Sequence, residues 1–236
     1  MYLGGFLLGW LGTRARASRA DSPISRKGAE DLIFYVAVGV FVGGRVGYVL
    51  FYDLSSLLAN PLSLFAVWQG GMSFHGGLLG VLAAMALFAR RVGQPYFSVT
   101  DFIAPWVPLG LGLGRIGNFI NGELWGAETE VPWAVVVDGV PRHPSQLYEA
   151  LLEGVVLFVV LWWYSSKPRP RMAVSGWFLL LYGIFRCGVE FIRLPDEHIG
   201  YVAFGWVTEG QLLSAPMIIF GALLLLMAYR RRTHST

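Results

Sequence analysis

Apolar stretches close to the length of a membrane span dominate this sequence. They fall at residues 1–13, 31–52, 73–89, 100–120, 145–164, 173–192 and 205–229, with breaks punctuated by Pro61, Pro95 and Lys167-Pro168-Arg169-Pro170-Arg171. A helix crosses a bilayer with about 20 apolar residues. Only helices and closed barrels satisfy every backbone polar group in lipid. Of the 236 residues, 55% are hydrophobic and 14% charged, against about 25% charged in soluble domains. The expectation is an all-α polytopic membrane protein, one integral membrane domain over residues 1–236 with seven transmembrane helices. The first stretch is short: its 13 residues reach about 20 Å of the roughly 30 Å hydrocarbon core. Its basic residues follow the apolar run, unlike a signal peptide, so the reading is a first helix truncated at its start.

The charges set a topology. Thirteen of the eighteen Lys and Arg fall in alternate breaks or at the C-terminus: Arg14, Arg16, Arg19, Arg26 and Lys27, then Arg90 and Arg91, then Lys167, Arg169 and Arg171, then Arg230, Arg231 and Arg232. The positive-inside rule makes that side cytoplasmic and places the C-terminus inside. The net charge of +3 thus reports topology and not nucleic-acid binding. The remaining Arg45, Arg115, Arg142, Arg186 and Arg193 gather in the outer half, a distribution suited to an anion. A single cysteine, Cys187, excludes an internal disulfide and a cysteine-rich metal site, and reads as a packing residue. No metal-ligand spacing, phosphate loop or serine elbow is present.

Three polar clusters interrupt the apolar runs. In Gly114-Arg115-Ile116-Gly117-Asn118-Phe119-Ile120-Asn121-Gly122-Glu123-Leu124-Trp125-Gly126, an arginine, two asparagines and a glutamate close a glycine-rich span. Arginine at bilayer depth costs about 2.5–3.5 kcal/mol on insertion scales, so it marks a site more often than a scaffold. In Trp68-Gln69-Gly70-Gly71-Met72-Ser73-Phe74-His75-Gly76-Gly77, His75 is a candidate base flanked by glycine pairs; the alternative is a hydrogen-bonded structural histidine. Arg186, Glu190 and Arg193 lie at i, i+4 and i+7 on one helix face. A Glu190–Arg193 pair would leave Arg186 to a ligand.

Gly43-Gly44-Arg45-Val46-Gly47-Tyr48 suits close helix packing, with Arg45 open between an anion and a carboxylate supplied by Glu149 or Glu153. Ser145 is a candidate helix cap, and His143 either a loop contact or a site residue. Val135-Val136-Val137 meeting Asp138-Gly139 predicts a hairpin, a small extracytoplasmic element within 122–144.

These residues together resemble the prolipoprotein diacylglyceryl transferases of bacterial inner membranes. The likeness is carried by Gly114–Gly126, the His75 stretch, Gly43–Tyr52, Arg142–Glu149 and Tyr182–Asp196. It implies seven spans with the N-terminus outside. The implied reaction transfers diacylglyceryl from phosphatidylglycerol to the lipobox cysteine of a prolipoprotein, with a thioether and glycerol phosphate as products and no metal or organic cofactor. Important family positions match His75, Arg115, Asn118, Glu123, Gly126 and Arg186. The family also carries a tyrosine just before a Met-Tyr-Leu-x-Gly-Phe run, at which this sequence starts.

On this reading Arg115 and Arg186 hold the lipid phosphate, and His75 takes or relays the thiol proton. Glu123 orients an arginine or the headgroup. Asn118 and Asn121 bond glycerol or phosphate oxygens, with Gly126, Arg45 and His143 as further substrate-binding candidates. The competing class is an outward-facing phospholipid or anion transporter without covalent chemistry. It predicts charged residues tracking through to the inner face, and the arginines here stay in the outer half.

Overall fold

The apolar stretches are mostly helical in the computed structural model, which describes residues 1–20, 22–66, 68, 70–194, 200 and 202–233, and the stretch 100–120 is divided between two helices and a 3₁₀ turn. The helices are α1 (Tyr2–Ala17), α2 (Arg26–Tyr52), α3 (Leu54–Ala59), α4 (Phe74–Arg91), α5 (Tyr96–Ile103) and α6 (Val107–Asn121). After the strands β1 (Val135–Val137) and β2 (Val140–Arg142) come α7 (Ser145–Glu149), α8 (Leu157–Tyr164), α9 (Ala173–Val189) and α10 (Glu209–Thr233). A π-helical segment, Ala150–Val156, joins α7 to α8, and 3₁₀ turns lie at Pro61–Phe65 and Ala104–Trp106. Among the described residues, three helices are long and apolar enough to cross a membrane: Arg26–Tyr52, Ser145–Tyr164 and Glu209–Arg230; the apolar Ala173–Val189 is shorter. Large side chains such as Phe34, Phe41, Ile219 and Phe220 are exposed on these helices, the pattern of a lipid-facing surface.

The first helix runs past its expected end at residue 13 to Ala17 and takes in Arg14 and Arg16. Basic side chains in a last turn complement the helix dipole, so charge does not end the helix where hydropathy ends.

The chain divides into two compact units, Thr13–Val99 and Met1–Gly12 with Thr100–Thr236. In the first, α2 and α4 meet along a seam of small residues. Gly39, Gly43 and Gly47 face Gly76, Gly80 and Ala84, and a Cβ at Gly47 would lie 2.6 Å from the Gly76 Cα. Backbones this close require glycine, as the Gly43–Gly47 spacing predicts. The Ser73 hydroxyl caps α4 by accepting from Gly76 N at 3.2 Å.

In the second unit α9 and α10 approach in the same way: a Cβ at Gly221 would lie 2.6 Å from the Leu180 amide nitrogen. Asp101 of α5 caps α9, its carboxylate accepting from Met172 N at 2.7 Å and Ser175 N at 2.8 Å. Thr208 and Gln211 cap α10 reciprocally: Oγ1 accepts from Gln211 N at 3.2 Å, and Gln211 Oε1 accepts from Thr208 N at 3.1 Å. The predicted hairpin is present, with Val135 opposite Arg142 and Val137 opposite Val140. Asp138 (φ 51°) and Gly139 (φ 82°) form its turn, the two positive-φ positions that a type I′ turn demands.

Candidate active site

The second unit builds its polar centre where two glycines touch. Gly112 of α6 and Gly154 of the π segment are so close that a Cβ at Gly154 would lie 2.7 Å from the Gly112 Cα. One turn along α6, Arg115 therefore reaches the carboxylates on the facing helix. Its Nε lies 2.7 Å from Glu149 Oε2 and 3.8 Å from Glu153 Oε2. From α9, Arg186 pairs with Glu149 through Nη1, lies 3.9 Å from Glu153 Oε1, and reaches Glu190 Oε1 at 2.6 Å through Nη2. Arg193 Nη1 is 3.1 Å from the same Glu190 oxygen. Glu190 Oε2 accepts from Thr208 Oγ1 at 2.6 Å, beside the start of α10.

The result is an alternating chain, Arg115–Glu149–Arg186–Glu190–Arg193, with Glu153 beside its first half. Glu149, Glu153 and Glu190 are buried, as is Arg186, while the Arg115 side chain keeps 21% of its surface. Such burial is tolerated because every arginine has a carboxylate; removing one partner from a buried pair typically costs about 3–5 kcal/mol. The π segment lies in the middle of this arrangement, where such segments often mark functional sites.

This geometry alters two expectations. Glu190 does not leave Arg186 for a ligand by pairing with Arg193; it pairs with both, since its two neighbours on the helix face lie within one turn on either side. Glu149 and Glu153 serve Arg115 and Arg186, not Arg45. Sequence reading noted both glutamates without their partners. The available signal was that two carboxylates inside an apolar span need buried cations.

The end of α6 forms a second polar layer. Gly122 (φ 74°) stops the helix in the left-handed conformation. Glu123 then turns back, its carboxylate accepting from Asn118 Nδ2 at 3.1 Å and Asn121 Nδ2 at 3.4 Å. Among the described residues no arginine lies within ion-pair distance of Glu123, so it orients the two asparagines instead. Leu124 holds a positive φ of 63°, a strained backbone that persists only where surroundings over-determine it. Here Ser145 Oγ donates to Leu124 O at 2.8 Å and the Gln146 amide donates to Glu123 O. Ser145 is thus an anchor for this turn and not a cap of α7; the residue preceding the helix is Pro144, without a side-chain cap.

Gly126 and His143 both tie the hairpin down. Gly126 N donates to His143 O at 2.9 Å and Ala127 N donates to Ile192 O at 2.9 Å. A Cβ at Gly126 would lie 2.7 Å from both the His143 Cβ and Ile192 O, so chain crossing explains this glycine without a ligand. His143 Nδ1 lies 3.1 Å from the Tyr148 hydroxyl, which also accepts from Trp133 Nε1 at 2.6 Å. This is the loop contact of the two readings given above.

The first unit holds the other two candidates. Arg45 is buried, and its donors go to backbone carbonyls: Nε to Leu64 O at 3.0 Å, Nη1 to Gly70 O at 2.6 Å and Gly71 O at 3.3 Å, Nη2 to Ser63 O at 2.6 Å. It clamps the segment after α3 and has no carboxylate partner among the described residues. His75 sits exposed in the first turn of α4, against Phe74 edge-on at 5.7 Å and without a hydrogen-bond partner among the described residues. Gln69 and Asp196, which belonged to the sequence clusters, lie outside the described residues.

A buried arginine–carboxylate chain behind a glycine-terminated helix agrees with the resemblance seen in the sequence, and whole-chain comparison decides the family. The family described as prolipoprotein diacylglyceryl transferase matches residues 1–227. The chain belongs to that family. A relative from Pseudomonas putida (strain W619) is 57% identical over 238 residues, 98% of this chain and 88% of its own length. One from Methylococcus capsulatus is 56% identical, covering 99% of this chain and 90% of the relative. One from Solidesulfovibrio magneticus is 60% identical over 95% of this chain and 87% of the relative. Each is named phosphatidylglycerol–prolipoprotein diacylglyceryl transferase.

Proposed function

We propose that this chain transfers the diacylglyceryl group of phosphatidylglycerol to a prolipoprotein cysteine. Identity of 56–60% over 95–99% of the chain with relatives named for that reaction carries the reading. The thiolate of the lipobox cysteine attacks the glycerol carbon, the C–O bond to phosphate breaks, and glycerol phosphate leaves with the bonding pair. Negative charge grows on the departing phosphate. Guanidinium suits it, staying charged and offering a planar fork of donors.

Arg115 keeps more side-chain surface than Arg186 or Arg193, and its ion pairs run through Nε. It presents its remaining guanidinium edge to the phosphate, and Arg186 behind it adds positive charge. The Asn118–Asn121–Glu123 layer holds the glycerol headgroup, and His75 takes the thiol proton. The chain functions as seven spans in a bacterial inner membrane, N-terminus outside, C-terminus cytoplasmic and site toward the outer face. The alternate placement of basic residues supports this.

The test uses membranes containing this chain, phosphatidylglycerol and a lipobox peptide, with mass spectrometry of the cysteine. Diacylglyceryl on the thiol, lost in Arg115→Ala, is the expected result. An unmodified peptide with the wild-type chain would overturn the transferase reading in favour of a carrier.

A further inference from the structure

Among the described residues, three arginines face three carboxylates in this cluster: Arg115, Arg186 and Arg193 against Glu149, Glu153 and Glu190. A phosphodiester bound at Arg115 adds one negative charge to a low-dielectric site, where uncompensated charge is costly. That charge is offset if one carboxylate takes a proton.

The three carboxylates are not held equally. Glu190 has Arg186 at 2.6 Å, Arg193 at 3.1 Å and the Thr208 hydroxyl at 2.6 Å. Glu149 has Arg115 at 2.7 Å and a close pair with Arg186. Glu153 is fully buried, and among the described residues neither of its oxygens has a hydrogen-bond partner and its nearest cations are 3.8 and 3.9 Å away. Facing it are Glu149 on its own helix, Arg115 from α6, and Arg186 and Tyr182 from α9, with Arg193 within electrostatic reach. It gains least from being charged and lies beside both arginines assigned to the phosphate.

We propose that Glu153 is a positioning residue that takes up a proton when phosphatidylglycerol binds, offsetting the charge that the phosphate brings to Arg115 and Arg186. This rests on the phosphate-site reading above. The proton comes from solvent, and no bond of the lipid changes in this step. A neutral Glu153 no longer competes for the guanidinium groups, and its hydroxyl becomes a donor to Glu149, one turn away. Wherever Glu153 is charged in the lipid-free protein, the proton must be supplied at binding, so binding weakens as pH rises.

Short-chain phosphatidylglycerol is titrated calorimetrically into the detergent-solubilised full chain, in two buffers of different ionisation heat. The wild type is expected to take up about one proton per lipid, with affinity falling about tenfold per pH unit on the alkaline side. Glu153→Gln is expected to bind with no proton uptake and a flat pH profile. Glu153→Gln that retains the wild-type uptake overturns the proposal. If that variant does not fold, the wild type alone decides: affinity that stays flat between about pH 6 and about pH 9 overturns it. Arg115→Ala separates the two readings. Binding that survives Arg115→Ala sinks the phosphate site itself, whereas binding lost in Arg115→Ala without wild-type proton uptake sinks only the role of Glu153.

Discussion

Arg45 and Arg115 stand in similar sequence settings, each in a glycine-rich helix within an apolar stretch, and the protein uses them in opposite ways. Arg45 spends its donors on the carbonyls of Ser63, Leu64, Gly70 and Gly71. Arg115 meets carboxylates, through Nε, and keeps part of its surface. A backbone carbonyl can neither titrate nor rotate away from its chain, so Arg45 is fixed. A carboxylate can do both, so Arg115 can exchange one anion for another. An intramembrane arginine is a site candidate by default, but the nature of its partners separates a clamp from a site.

The largest expected effects break the cluster. Arg115→Ala removes one preorganised charge from the transition state and should lower turnover by about 10²–10³-fold, read as the rate of peptide modification. Arg186→Ala should abolish modification as well. It also strands Glu149 and Glu190 without a shared cation, so its thermal melt should fall by the equivalent of about 3–5 kcal/mol. Arg115→Ala should melt closer to wild type because its side chain is less buried. Equal melting losses for the two variants would erase the distinction between exposed and interior arginines.

Gly154→Val tests the approach that brings Arg115 to Glu149. The new Cβ meets the Gly112 Cα at 2.7 Å, and overpacking of this kind costs about 1–3 kcal/mol. Activity should fall more than stability, because α6 must move away from the carboxylates. Full activity would show that the Arg115–Glu149 distance is not critical.

On the other side of the comparison, Arg45→Ala removes the hydrogen bonds to the carbonyls of Ser63, Leu64, Gly70 and Gly71, and a bond to a charged donor is worth about 1.5–3 kcal/mol. Arg45→Lys should recover only part of the melting loss, since one nitrogen cannot span carbonyls that a guanidinium fork reaches together. Complete rescue by lysine would show that charge, not the fork, matters there. The smallest effect is expected from Ser145→Ala, which deletes one hydrogen bond to Leu124 O and should cost about 1 kcal/mol. A loss of activity out of proportion to that cost would show that the strained Leu124 turn aligns the asparagine layer.

The helical character of the apolar stretches, the Asp138-Gly139 hairpin and the close helix packing at Gly43–Gly47 were legible in the sequence. Hydropathy, turn chemistry and small-residue spacing act over a few neighbouring residues, so a linear reading reaches them. The arginine, asparagine and glutamate positions of the second unit were legible too, as polar residues that an apolar segment has no structural reason to hold. Their partners were not. Glu149 serves Arg115 and Arg186, Asp101 caps a helix about seventy residues downstream, and Ser145 holds Leu124 instead of its own helix. Ion pairs and hydrogen bonds require approach within about 4 Å, and which groups come that close depends on how helices far apart in sequence pack. The sequence by itself determined a helical membrane protein with arginines inside its apolar stretches. Only the tertiary structure decided which arginine faces carboxylates, which is locked to backbone, and which carboxylate is left unbonded between them.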